Sequence, residues 1–295
     1  MSKRWVGVWV LLVGCHRAPA WLEEAPLIGA RVRDDAGREV YLVRPPQRVA
    51  LATPDAVPLW QEAGLFSRVI AACEGVGEAT RLFFLPCDDS LALEEALYKS
   101  HPTWVWVASP GALPPTTAFP LYVFQPKGPA DWLRHVRTLG QVYDEPLLTH
   151  LADSLEREYR QALQKVQALR RLKVVVLLPG EPLRFPSPSD PLSTLIEEAG
   201  GQLIPVESLA TTLPEVVILP ADQPELVNDW LRLYPDAYLS PALRYKRLFS
   251  IERPVLERPL AQPVRTFYTL LRILHPEVSP SSPQPAEPIE QPAED

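Results

Sequence analysis

Two kinds of apolar patterning alternate along the chain. Short, dense, β-branched runs read as strands: "REVYLV" and "RVALAT", separated by the turn-like "RPPQ", then "SRVIAAC", "TWVWVAS" and "LYVFQ". Between them lie segments with helical spacing. "DAVPLWQEAGL" ends at Gly64, "LALEEALYKS" stops just before Pro102, and "PADWLRHVRTLGQVY" is amphipathic. Strands alternating with helices at this spacing predict a parallel sheet covered on both faces.

The pattern changes at Glu145. From there to Leu172 there is no glycine, and proline occurs only at the start. Apolar residues recur at Leu148, Leu151, Leu155, Tyr159, Leu163, Val166 and Leu169, in steps of three and four. That is one stripe of a single long helix, roughly 40 Å at about 1.5 Å per residue. Alternation then resumes with "KVVVLLP", "DPLSTLIEEAGG", "EVVILPA", "ELVNDWLRLYP", "RLFSIE" and a final helix in "AQPVRTFYTLLRILHPE". The expected architecture is α/β, two Rossmann-like lobes joined by one long helix. The first lobe spans 30–144, the linking helix 145–172 and the second lobe 173–277.

The flanks differ from the lobes. Lys3 and Arg4 precede an apolar run from Trp5 to Val13, about 14 Å of helix against a hydrocarbon core of about 30 Å. The run fits a signal peptide rather than a span. Leu12-Val13-Gly14-Cys15 resembles the lipobox of bacterial lipoproteins, which implies a signal over 1–14, lipidation at Cys15 and a tether over 15–29. A cleaved secretory signal with a coincidental cysteine is the alternative. The implied location is the cell envelope, lipid-anchored and facing the periplasm or the exterior. The other end, "SPSSPQPAEPIEQPAED", is proline-rich and acidic, with Ile289 its only sizeable aliphatic residue. A disordered tail over 278–295 is expected.

The 295 residues are 46% hydrophobic and 22% charged, with a net charge of −7, so no basic field for nucleic acid exists. Three cysteines are present. With Cys15 assigned to lipid, Cys73 and Cys87 remain, either bridged or as two buried thiols.

The order of elements resembles the type III periplasmic binding proteins, which capture cobalamin, ferric siderophores or haem for ABC importers. The likeness runs from about Val32 to Glu277. "VRDDAGREVYLVRPPQRVALATPDAVPLWQEAGLFSRVIAAC" is similar to the family's opening, and "LEEALYKSHPTWVWVA" to a later helix–strand segment. "LIEEAGGQLIP" is similar to its Gly-Gly element, and "ERPLAQPVRTFYTLLRILHPE" to its C-terminal helix with closing His-Pro-Glu. The resemblance implies that Glu95 and Glu207, one per lobe, pair with arginines of the importer's permease subunits; alternatively each is a solvated surface charge. The chain departs from the family pattern at Val57-Pro58, at Thr103 and at Gln262, where the final motif usually carries arginine.

Ligands of α/β lobes sit outside the carboxyl ends of the strands. Candidates on the first lobe are Thr53, Pro54 and Asp55, the loop holding Arg81, Phe83 and Phe84, and the turn at Ser109 and Pro110. On the second lobe they are Arg184, Phe185 and Ser187, then Tyr245 and Arg258. Aromatic walls suit a flat chelate and arginines an anionic one.

No phosphate loop or Gly-x-Ser-x-Gly elbow occurs, and "GVGEAT" is only a partial glycine fingerprint. The five histidines lack close ligand spacing; a metal already held in a chelate needs no protein ligands. The expected function is therefore a monomeric, non-enzymatic lipoprotein without a cofactor. It would bind a metal chelate (cobalamin, siderophore or haem) and deliver it to ABC permease subunits. The alternative is an envelope lipoprotein that keeps the fold as an interaction or scaffold module.

Overall fold

The structure, a computed structural model, describes residues 29–73, 82–114 and 118–278. The signal, Cys15, Arg81, "GVGEAT" and residues 279–295 of the tail lie outside them.

Among the described residues the strands form three sheets. β1 (Ala30–Arg33) and β2 (Glu39–Leu42) make an antiparallel ribbon. β3 (Val49–Ala52) is the centre of a parallel sheet with β4 (Val69–Cys73), β5 (Phe83–Leu85), β6 (Trp104–Val107) and β7 (Leu121–Val123), in the order β5-β4-β3-β6-β7. Every residue of β3 and β6 is buried, as expected for strands covered on both faces. One face carries α1 (Ala56–Glu62) and α3 (Pro129–Val142) over a cluster of Trp60, Trp104, Trp106 and Tyr122. The other face is packed by α2 (Ser90–Ser100) through Leu93 and Leu97. Asp89 starts α2 by accepting from the amides of Leu91 and Ala92, and His101 ends it in the left-handed region ahead of Pro102.

The linking helix α4 (Pro146–Gln167) has 22 residues, or about 33 Å. It is shorter than the stripe suggested, because Ala168 and Leu169 close the last turn and β8 (Leu172–Val176) begins soon after. Its first half buries Ala152 in the first lobe's core; its second half buries Tyr159, Ala162 and Val166 in the second lobe's. Leu151 is off the stripe, 48% exposed. Near the end of α3 a side chain on Gly140 would meet Thr149 Oγ1 at 2.7 Å and the Glu145 carbonyl at 3.1 Å, so glycine there lets α4 pack close. Arg137 of α3 pairs with Asp153 and Glu156 of α4.

The second sheet holds β8, β9 (Gly201–Leu203), β10 (Val216–Pro220) and β11 (Leu248–Ile251), all parallel, in the order β11-β10-β8-β9. α5 (Pro191–Glu198) and α9 (Pro263–Leu274) cover one face; α6 (Leu226–Leu233) and the short α7 (Pro241–Arg244) cover the other. The short α8 (Arg253–Glu257) leads from β11 toward α9. No described helix is long and apolar enough to cross a membrane.

Candidate functional site between the lobes

Both sheets reverse direction of growth next to their first central strand, between β3 and β6 in the first lobe and between β8 and β10 in the second. Crevices for ligands open at the carboxyl ends of such strand pairs. Thr53, Pro54 and Asp55 follow β3 directly, and Ser109 and Pro110 follow β6, so five of the first-lobe candidates share one switch point. Thr53 is buried, and its carbonyl accepts from the amide of Ala56 to start α1. Asp55 is half-buried, with Oδ1 lacking a hydrogen-bond partner among the described residues. Burial pushes its carboxyl above the ordinary range, and the charge of Arg258 on the other lobe pulls it back.

On the second lobe, Arg184 lies beyond β8, tied to the strand end by paired backbone bonds with Leu178. Ser187 accepts from the Ser193 hydroxyl through its carbonyl and shares its own hydroxyl with Ser189. The residues after β10 and β11 add a pair that strand-end reasoning passed over. Asp222 and Arg253 face each other at 2.9 Å; "PAD" just past an apolar run was the available signal.

The two carboxyl edges approach each other at the segment after β11. Trp132 of α3 donates its indole N–H to the carbonyl of Ala261 at 3.2 Å, and Gln262 donates to Glu62 of α1. Val264 packs against the first lobe's core. A small cavity of about 110 Å3 is lined by Pro58 together with Glu252, Arg258, Gln262 and Arg265. Two departures from the family pattern, Pro58 and Gln262, thus meet at one lobe–lobe contact.

Several candidates lie elsewhere than expected. Phe83 and Phe84 belong to the edge strand β5 rather than to a loop; they are 53% and 58% exposed, so they are not core either. Phe185 packs toward Tyr234 in the second lobe's core, ring centres 6.1 Å apart. Tyr245 precedes β11 and so lies at the amino edge of its sheet, away from the crevice.

Cys73 and Cys87 are bridged, their Cα atoms 5.8 Å apart. The bridge ties the carboxyl end of β4 to the turn after β5, on the crevice side of the sheet. Glu95 is exposed on α2, paired with Lys99 at 2.7 Å, and this pairing holds its carboxyl below the ordinary range. Glu207 is exposed on the single turn after β9. Each lobe therefore offers one of the two exposed glutamates that the resemblance singled out. Among the described residues no group of three histidine, cysteine, aspartate or glutamate side chains could hold a metal ion.

No family model matches this sequence, and no curated protein matches it. Solved structures do. The periplasmic vitamin B12 binding protein BtuF of Vibrio cholerae aligns over 78% of this chain and 96% of its own, with a TM-score of 0.59 at 14% identity. CeuE of Helicobacter pylori, solved with Ni(II) bound, aligns over 84% and 90% with a TM-score of 0.61 at 16% identity. The periplasmic heme-binding protein RhuT from Roseiflexus aligns over 76% and 99% with a TM-score of 0.51 at 17% identity. The chain has the two-lobed fold of the type III periplasmic binding proteins. These neighbours are binding proteins by description, not enzymes.

Proposed function

We propose that this chain is a substrate-binding lipoprotein of the cell envelope, anchored through Cys15, which captures a metal chelate between its lobes and delivers it to an ABC importer. The convergence of the two strand-end crevices carries the reading. Thr53 to Asp55 and Ser109 to Pro110 stand on one side; Arg184, Asp222, Arg253 and Arg258 stand on the other. A crevice with charge on both walls suits a chelate bearing anionic and hydrogen-bonding groups. That the fold neighbours carry vitamin B12, Ni(II) or heme in their descriptions supports this cargo class. Glu95 and Glu207 are the docking points for the permease, one on each lobe.

The test is thermal unfolding of residues 16–295 with and without cobalamin, haem and a set of ferric siderophores. A chelate at about 100 times its dissociation constant adds about 2.7 kcal/mol to folding stability. A rise with one of them supports capture. No rise with any member of the set favours the interaction or scaffold reading.

A further inference from the structure

The first lobe carries a groove unrelated to the crevice. It has a volume of about 410 Å3 and is lined by Tyr41, Val43, Pro45, Pro46, Thr103 and Pro120. Thr103 and Pro120 immediately precede β6 and β7, so the groove lies at the amino edge of the sheet, opposite the strand-end crevice. Tyr41 and Val43 are each 64% exposed. Arg44 and Arg48 stand in its wall. Arg48 donates to the carbonyls of Ser100 and His101, and neither arginine has an acidic partner among the described residues.

The geometry points to residues Trp21 to Ile28 of this same chain as the occupant of this groove. The register of the β1–β2 ribbon supplies the first argument. Ala30 lies opposite Leu42 and Arg31 opposite Tyr41. A Cβ on Gly29 would lie 3.7 Å from the Leu42 carbonyl, next to the groove residue Val43, so the chain before Gly29 starts at the edge of the groove. Composition supplies the second. "WLEEAPLI" carries Trp21, Leu22, Leu27 and Ile28, the large apolar residues between Cys15 and Gly29. Charge supplies the third, since Glu23 and Glu24 complement Arg44 and Arg48. The proline-rich tail is a poorer occupant. Its root follows His275, which bonds Gly200 at the amino edge of the other lobe's sheet.

The consequence concerns the anchor. If Cys15 bears lipid, docking of Trp21 to Ile28 shortens the free tether to residues 16–20. The lobe is then held close to the membrane with its amino edge inward. The docking itself does not depend on the lipid or on the cargo.

The test is amide hydrogen exchange on the full chain in detergent, compared with the free peptide "WLEEAPLI". Amides of Leu22 to Ile28 should exchange at least about tenfold more slowly in the chain. Val43→Asp, at an exposed position, and the pair Glu23→Lys with Glu24→Lys, within the segment itself, should each return them to peptide rates without lowering the unfolding temperature. Peptide-like exchange in the unmodified chain overturns the proposal, as does protection that survives both variants. Protection that disappears on dilution, together with a mass that falls to that of one chain, assigns the groove to a second copy and overturns it too. So does protection that vanishes when residues 279–295 are removed.

Discussion

The imidazole Nε2 of His275 lies 3.3 Å from the carbonyl oxygen of Gly200. Two stretches that resembled family motifs separately, the Gly-Gly element and the closing His-Pro-Glu, are thus halves of one contact. Gly200 has φ of +88°, and a Cβ there would fall 2.6 Å from the His275 ring. The left-handed conformation alone costs an L-residue about 1–2 kcal/mol. Gly200→Ala should therefore destabilise the second lobe by about 2 kcal/mol or more, read from the denaturant midpoint at unchanged m-value.

His135 is fully buried and links two groups, Tyr122 at 2.8 Å and Asp35 at 2.9 Å. Asp35 sits in the β1–β2 turn, so this network pins the ribbon to the lobe. Burial opposes ionisation of Asp35. The hydrogen bond and charge of His135, the Gln125 amide and Arg134 outweigh it and bring the carboxyl to about 2. Burial also pushes the His135 imidazole below its ordinary value. With a lowered native value for the histidine, the unfolded chain binds more protons once pH falls below about 6.5. Stability should decline from there. The Asp35 contribution should be complete above about pH 4 and lost as pH falls through about 2. Asp35→Asn should flatten the lower part of the curve, measured by unfolding between pH 2 and 8.

The Cys73–Cys87 bridge closes a loop of sequence separation 14. Its removal by paired serine substitution should cost about 3 kcal/mol on chain-entropy grounds. The linker between the cysteines should become the first site cut by protease.

Glu95 and Glu207 are exposed, and the Glu95–Lys99 pair is a surface pair. Reversing either charge should change stability by no more than about 0.5 kcal/mol. If they dock the permease as proposed, chelate binding should be unaffected while uptake through the importer falls. A loss of stability comparable to that of a core substitution would mark them as structural instead.

Where periodicity was strong, the elements were legible. β3, β6 and β10 stand where dense apolar runs predicted them, and α3 and α9 where amphipathic or helical segments were read. Of the edge strands, β7 and β11 were read as strands, while β5 and β9 escaped. β5 is three residues long and begins with two exposed phenylalanines, so it offers no alternation to read. Of the crevice residues, Thr53 to Asp55 were visible because they directly follow a clear strand. Asp222 and Arg253 were not, because their pairing joins two strand ends that only the sheet order makes neighbours. Tyr245 was misplaced for the converse reason, since a loop before a strand and a loop after one look alike until direction is known. The cysteine bridge stayed open for want of a Cα–Cα separation.

On the proposed function, chelate binds where Asp55 and Arg258 interact across the lobes. Calorimetric titration of cobalamin, haem and ferric siderophores into the unmodified protein, Asp55→Asn, Arg258→Ala and Tyr245→Ala tests it most directly. One chelate should bind at a single site, with affinity reduced at least about tenfold, or about 1.4 kcal/mol, by the first two substitutions. Tyr245→Ala, at the far edge of the sheet, should change nothing. Binding that survives both crevice substitutions, or no binding by any of these chelates, would contradict it.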